Sequence, residues 1–369
     1  VGDARHILHV FPSFDAGGLE LRAVTLMQLL GREARHSIVA LDGRVGALAR
    51  VAPDVELELL ASPRTKGPLA TSVTLAEHLC ARRPDLVLTY NWGAIEGLFA
   101  TRAIAFTRVI HHEDGFGPEE SARQLKRRVW LRRTLFPGIR ALVVPSRQLE
   151  RLALDAWEQP RERVHYLPNG VDLARFHPPE PAERAAAREA GRPVRLALVG
   201  RFRPEKNHAL LLRAFKKAEV AGRAVLVLVG DGPLLADVRL EARQLGLADA
   251  VEFLGNVWDP AALYRGLDVF VMSSNTEQMP LSVLEAMATG LPVVSTRVGD
   301  VPSMVAPESA EVLVPSNDVD ALAHAIRRVV DEPALRQSLG DANLRRVRET
   351  FALDLCLGRH LELYRRTWS

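Results

Sequence analysis

Short apolar runs alternate with longer amphipathic ones along nearly all of this chain, and that rhythm limits the folds open to it. The first series of runs reads as strands at Ile7–Phe11, His36–Leu41, Val55–Leu59, Leu86–Thr89, Arg108–His111, Ala141–Val144 and Val164–Leu167. Helical stretches such as Leu19–Leu30, Leu69–Arg82, Glu119–Thr134 and Arg147–Trp157 lie between them. A second series has strands at Arg195–Val199, Ala224–Val229, Val251–Phe253, Val269–Met272, Val293–Ser295 and Glu311–Val314. Its helices are expected near His208–Ala218, Pro233–Leu245, Asp259–Tyr264, Leu281–Thr289, Asp318–Val330 and Pro333–Glu349, with a last one over Leu353–Thr367. Val/Ile/Leu-rich strands separated by helices predict parallel sheets covered on both faces. His177-Pro178-Pro179-Glu180-Pro181 breaks the rhythm, and the alanine-rich stretch Ala182–Arg192 reads as a surface helix or linker. The expectation is an α/β protein of two Rossmann-like, doubly wound domains facing a central cleft. They cover residues 1–180 and 181–350, followed by a final helix over 351–369.

The bulk composition excludes several classes. A 369-residue chain that is 47% hydrophobic and 25% charged is an ordinary globular protein of two or three domains. A net charge of +3 is too small to argue for nucleic acid, and there is no aromatic-basic platform for it. Cys80 and Cys356 stand in apolar helical stretches, which suits reduced thiols in a cytosol. No apolar run reaches the roughly 18 residues of a spanning helix. The first residues run directly into a strand, so no signal peptide is expected. The expected location is the cytoplasm, with peripheral contact at the inner face of the plasma membrane. That contact rests on Gln124–Arg133, a basic amphipathic helix with Trp130 and Leu131, although a solvated face explains the same pattern.

Chemistry-bearing residues gather where strands end. Glu277 follows the strand Val269–Met272, and Glu285 lies inside the next helix, which Pro280 is suited to open. Helix N-terminal N–H groups favour phosphate, and carboxylates accept hydrogen bonds from hydroxyls. Gly200-Arg201 ends another strand, with Lys206 after the turn; there are only five lysines, so its position is notable. Two cations beside a helix start suit a diphosphate, though a salt bridge to Glu205 or plain solvation suits them equally. Gly200 belongs to neither a dinucleotide fingerprint nor a P-loop. Gly230-Asp231-Gly232-Pro233 is a second such junction, plainly read as a capped turn. The backbone near Val257 is placed to meet a nucleobase, with Trp258 either a wall or a surface side chain.

In the first domain, Gly17-Gly18 before a helix permits close backbone approach to an anion, or is simply a flexible turn. His111-His112-Glu113-Asp114 ends the fifth strand. A metal site is disfavoured there because adjacent residues in an extended chain point to opposite faces. One cleft-facing histidine bonding a sugar hydroxyl or a leaving phosphate fits better, beside a purely structural histidine.

In this order and at these spacings the pieces resemble family 4 retaining glycosyltransferases of GT-B architecture, over essentially the whole chain. The resemblance rests on Gly17-Gly18, His111/His112, Asn169-Gly170-Val171-Asp172 with Phe176, Gly200-Arg201 with Lys206, Gly230-Asp231-Gly232-Pro233, and Glu277 with Glu285. It implies that Glu285 holds the donor ribose and that Glu277 sits by the transferred sugar. It implies that Arg201 and Lys206 neutralise the leaving diphosphate, with a phosphate cradle from the N–H groups of Met279, Leu281 next to Pro280, and Gly18. Asn169, Gly17, Gly200 and Val257 fall in the donor-binding set, and His111 or His112 faces the donor sugar. It implies that the final helix over 351–369 crosses back to the first domain, and it implies no metal and no cofactor beyond a UDP- or GDP-linked sugar. More narrowly, the chain resembles bacterial transferases of exopolysaccharide and cell-surface glycan assembly. Relatives often carry glycine after the first glutamate, where this chain has Gln278-Met279, so donor identity is not carried over.

Three functions stand side by side at this point. One is a transferase building a surface polysaccharide or lipid-linked glycan. Another is a GT-B transferase of a small-molecule acceptor, such as a natural product or a sugar phosphate. The third is a non-enzymatic sugar-nucleotide binder, against which the full set Arg201, Lys206, Glu277 and Glu285 argues.

Overall fold

The computed structural model describes residues 4–63, 67–116, 120, 124–180, 182 and 191–368. The chain divides into two compact units: residues up to Pro168 with those from Leu357 onward, and Asn169–Cys356.

The first unit holds β1 (Arg5–Phe11), β2 (Ala34–Ala40), β3 (Leu57–Leu59), β4 (Leu86–Tyr90), β5 (Val109–His112), β6 (Ala141–Val144) and β7 (Val164–Tyr166). They form one parallel sheet ordered β3-β2-β1-β4-β5-β6-β7. The central strands β4, β5 and β6 are buried at every residue, as a sheet covered on both faces requires. Helices Gly18–Leu30, Gly67–Arg82, Ile95–Ala103 and Lys126–Leu135 belong to this unit. The core gathers Leu8, Val10, Val87, Leu98, Leu142 and Trp157.

The second unit holds β8 (Val194–Val199), β9 (Ala224–Val229), β10 (Val251–Gly255), β11 (Val269–Met272), β12 (Val293–Thr296) and β13 (Leu313–Val314), in the order β10-β9-β8-β11-β12-β13. Helix His208–Ala218 shows how its elements form. Asn207 takes a left-handed backbone (φ 48°), and its side-chain oxygen accepts the Leu210 N–H at 3.2 Å, which satisfies one of the free donors of the first turn. Leu211, Ala214, Phe215 and Ala218 then lie on the buried side. Truncating a fully buried aromatic such as Phe215 to Ala costs about 3–5 kcal/mol.

Most elements fall where the alternation places them, with local differences. Arg147–Trp157 is a short α-helix, Arg147–Arg151, that relaxes into π-type bonding over Leu152–Ala156, with the Trp157 N–H reaching Leu152 at 2.9 Å. The strand expected from Glu311 shrinks to Leu313–Val314, because Pro307 opens a 3-10 turn over Pro307–Val312. The helix expected over Glu119–Thr134 lies partly outside the described residues, and its described part is Lys126–Leu135. Of the stretch Ala182–Arg192, only Ala182, Gly191 and Arg192 are described. The final helix, Leu353–Trp368, starts in the second unit and continues into the first. Val171 pairs with Ala352 just before it.

Both sheets place the first strand of the unit beside the fourth, β1 beside β4 and β8 beside β11. The strand order reverses there, and open α/β sheets bind ligands at the carboxyl ends of strands at such a reversal.

Candidate functional site

In the second unit, the loops after β8 and β11 are tied together by a dense set of bonds. The Asn275 N–H donates to the Glu205 carbonyl at 2.7 Å. Ser273 Oγ donates to the carbonyls of Lys206 and Asn207 at 2.9 and 3.0 Å. The Asn207 amide donates to Asn275 Oδ1 at 2.9 Å and to Asn317 Oδ1 at 3.0 Å. This clamp brings Lys206 Nζ to 2.5 Å from Glu277 Oε1, which also accepts from Ser274 Oγ at 2.7 Å. The sequence-predicted cation and carboxylate therefore meet at the strand reversal. Arg201 stands exposed after the same strand, with no ion-pair or hydrogen-bond partner among the described residues.

Close backbone packing explains the glycines here. A Cβ on Gly230 (φ 133°) would lie 2.1 Å from the Gly200 carbonyl oxygen, and one on Gly232 (φ 156°) 2.6 Å from that of Phe202. Gly299 (φ 53°) presses on the other side of the Glu277 loop, where a Cβ would meet the Glu277 carbonyl oxygen at 2.2 Å. The Asp300 N–H donates to the Gln278 carbonyl at 2.9 Å next to it. His208 stacks on Phe202 at 4.2 Å between ring centroids; burial, then the charge of Lys206, lowers its pKa to about 4.

Met279 turns inward. Its side chain is buried in the core, with its sulfur 3.2 Å from the Asn169 N–H, and the Asn169 side-chain amide donates to the Met279 carbonyl at 3.2 Å. Asn169 thus positions the Glu277–Leu281 loop.

Pro280 is the residue just before helix Leu281–Ala288, whose first N–H groups lack intrahelical acceptors. Glu285 lies one turn in. Burial pushes its carboxyl pKa up, opposed by the neighbouring Tyr264 hydroxyl, which donates to the Ser282 carbonyl at 3.2 Å, and by the charge of Arg175. Val257 is partly buried against the core, whereas Trp258 is 88% exposed and forms no packed wall.

In the first unit, Gly17 precedes helix Gly18–Leu30 with extended backbone (φ −125°). The Glu20 carboxylate folds back beside it, 2.5 Å from where a Gly17 Cβ would stand. Burial, with Asp114 nearby, raises the Glu20 pKa. Arg22 pairs with Asp114 at 2.6 Å.

The two histidines depart from expectation, because neither side chain is open to solvent. His111 Nδ1 lies 2.7 Å from Thr89 Oγ1, and its ring packs on Phe136. His112 Nε2 lies 3.0 Å from the Tyr364 hydroxyl on the final helix, and burial holds its pKa well below 6.5. A β-strand turns successive side chains to opposite faces, and here both faces are covered.

The basic helix is also partly internal. Arg132 is fully buried among Trp92, Phe116 and Trp157, with Glu120 at 3.1 Å and Glu113 at 3.5 Å. Arg128 pairs with Glu120 at 3.2 Å. Lys126, Arg127, Trp130 and Arg133 are the exposed part.

Ser274, Tyr264, Gly299 and Asp300 are site residues that the motif reading passed over. Three of them had a signal in the sequence, since Ser274 lies two residues after β11 and Gly299-Asp300 lie just after β12, both at strand ends. Among the described residues, no three His, Cys, Asp or Glu side chains converge closely enough to hold a metal.

Comparison with known proteins bears on the family and fold of the chain. The model for glycosyl transferases group 1 matches residues 180–346, and that for glycosyltransferase family 4 matches residues 16–175. A D-inositol 3-phosphate glycosyltransferase of Streptomyces coelicolor is 30% identical over 97% of this chain and 88% of its own. The UDP-Gal:alpha-D-GlcNAc-diphosphoundecaprenol alpha-1,3-galactosyltransferase of Escherichia coli is 28% identical over 71% of this chain and 70% of its own. The putative glycosyltransferase EpsF of Bacillus subtilis is 40% identical over 44% of each chain, so this chain spans under half of that relative's length. The Anabaena protein HepE in complex with UDP superposes with a TM-score of 0.82 at 17% identity, covering 98% of this chain and 100% of its own. Sucrose-phosphate synthase of Thermosynechococcus elongatus superposes with a TM-score of 0.81 at 24% identity, covering 98% of each. With its paired parallel sheets and these matches, the chain belongs to glycosyltransferase family 4 and has the GT-B fold.

Proposed function

We propose that this protein transfers a sugar from a UDP- or GDP-linked donor to an acceptor hydroxyl with retention of configuration, without a metal, in surface polysaccharide or lipid-linked glycan synthesis. The observation that carries the reading is the meeting of Lys206 and Glu277, beside the exposed Arg201, at the β8/β11 reversal. Lys206 exchanges Glu277 for the donor diphosphate, which frees Glu277 to bond the sugar hydroxyls. Glu285 receives the ribose, and the N–H groups around Met279 and Leu281 face the phosphates.

In the reaction the bond between the anomeric carbon and the diphosphate oxygen breaks, and its electron pair leaves with the diphosphate. Arg201 and Lys206 stabilise that charge, as preorganised donors do. The acceptor oxygen attacks from the face that the diphosphate leaves, and its proton passes to a departing phosphate oxygen. No side chain is then needed as base, which fits the enclosure of His111 and His112.

Two relatives point to different acceptors. The E. coli enzyme's name specifies a lipid diphosphate, and the Streptomyces enzyme's name a small phosphorylated polyol. The exposed set Lys126, Arg127, Trp130 and Arg133 favours the first, as a peripheral contact with an anionic membrane. No helix among the described residues is long and apolar enough to cross a membrane.

A thermal-shift screen of sugar nucleotides tests the reading. Stabilisation by a UDP- or GDP-sugar, retained in EDTA and accompanied by release of free nucleotide, is expected. A shift by nicotinamide cofactors alone would overturn it. Liposome binding lost on Lys126→Glu/Arg127→Glu supports the membrane-linked acceptor.

A further inference from the structure

A second cationic cavity lies in the first unit, at the opposite ends of the strands from His111 and His112. It has a volume of about 720 Å³, within the ~300–1,000 Å³ range of small-molecule sites. Arg102, Arg140, Arg163 and Arg366 line it with His165, against a single carboxylate, Glu162. Arg140 and Arg163 come directly before β6 and β7, Arg102 from the last turn of helix Ile95–Ala103, and Arg366 from the last turn of helix Leu353–Trp368.

Arginines elsewhere in this chain commonly find carboxylates, as at Arg22, Arg82, Arg192 and Arg195. Among the described residues, none of these four guanidiniums has an ion-pair partner. The one acceptor fixed for the group is the Pro137 carbonyl, to which Arg163 donates at 2.5 Å. Helix C-termini favour cations, which accounts for Arg102 and Arg366. It leaves Arg140 and Arg163 unbalanced. Gly138 makes room for the cluster, since a Cβ there would stand 2.5 Å from both Cδ and Nη1 of Arg102. The half-buried His165 is held below its ordinary pKa by burial and then by the charge of Arg366.

We propose that this cavity binds a multiply charged phosphate group, free or at the head of a lipid, at a site separate from that of the donor diphosphate. Planar guanidiniums bond phosphate oxygens in pairs, and four converging on one space match such a group.

Calorimetric titration of the full chain with sodium pyrophosphate tests it, in an Arg201→Ala/Lys206→Ala background that silences the donor site. Binding is expected to persist there and to weaken with added salt. Arg140→Ser/Arg366→Ser in the same background is expected to lower affinity about a hundredfold, roughly a decade per lost charge-assisted bond. The same pair of changes in the otherwise native chain leaves the sugar-nucleotide thermal shift intact, which reports the fold. If the pair fails to fold, Arg140→Glu at an exposed strand start gives the same reading. Parallel flotation of a Lys126→Glu/Arg127→Glu chain, which removes the other basic face, with phosphatidylcholine vesicles with and without phosphatidic acid separates the sources: pyrophosphate binding marks a free ligand, and binding to phosphatidic acid alone, lost on Arg140→Ser/Arg366→Ser, marks a lipid head. Failure of both probes, or binding indifferent to Arg140 and Arg366, overturns the proposal and leaves the donor-site reading untouched.

Discussion

Lys206 Nζ lies 2.5 Å from Glu277 Oε1, so the two charges offset each other in this structure. Lys206→Ala should lower the transfer rate about 10²–10³-fold, the usual loss for one preorganised donor to a developing charge. Initial rates of nucleotide release would measure it, and an unchanged rate would remove Lys206 from the mechanism. Gly299→Ala should act on the same loop from behind. Its φ of 53° costs a side chain about 1–3 kcal/mol, and the new methyl presses on the Glu277 carbonyl. Turnover should fall while the second unit stays folded, as read by kinetics beside circular dichroism. Glu285 gives a pH signature. Its pKa is raised by burial, and hydroxyls bond best to the ionised form. Sugar-nucleotide affinity should therefore drop on acidification at a higher pH than an ordinary carboxylate would cause, and Glu285→Gln should flatten that profile. Glu277 and Lys206 were legible in the sequence because they follow strand ends, and Glu285 because it lies in the helix that opens after one of them. Their supports were not, since Tyr264 on helix Pro260–Arg265 reaches Glu285 only through the fold.

Helix Lys126–Leu135 carries two different surfaces, and a sequence pattern alone does not divide them. Arg132 faces three aromatic rings and two glutamates, while Trp130 is 63% exposed. A charge run reads as solvated unless the acids that bury it are known, and Glu113 and Glu120 lie on other segments. Arg132→Ala should destabilise the first unit by about 3–5 kcal/mol, because it strands two buried carboxylates. Urea titration would show it, and a change below about 1 kcal/mol would mean that water reaches the site. The strands β1 and β2 give an acid limit. His9 and His36 bond each other at 3.1 Å, and burial lowers the pKa of both, that of His36 to about 4. A lowered pKa means that the unfolded chain binds the proton more readily. Stability is then fully present above about pH 6.5 and falls by up to about 1.4 kcal/mol per pH unit for each imidazole below it. Unfolding midpoints measured between about pH 7 and about pH 5 should follow that slope, and His36→Asn should reduce it.

Across the whole molecule, period and strand composition made the two sheets legible, since Val/Ile/Leu runs between amphipathic helices have few other solutions. The enclosure of His112 was not legible, because it depends on a helix some 250 residues away whose Tyr364 hydroxyl meets it. Nor was the inward turn of Met279, which depends on Asn169. Both are long-range facts that no local pattern encodes. The same final helix sets an order of events. Residues from Leu357 onward complete the first unit, yet they are synthesised after all of Asn169–Cys356. Domains fold as units while a chain is being made. During synthesis, then, every strand of the second unit is made while the first unit still lacks the cover over His112, so the half that is begun first is the half that is closed last.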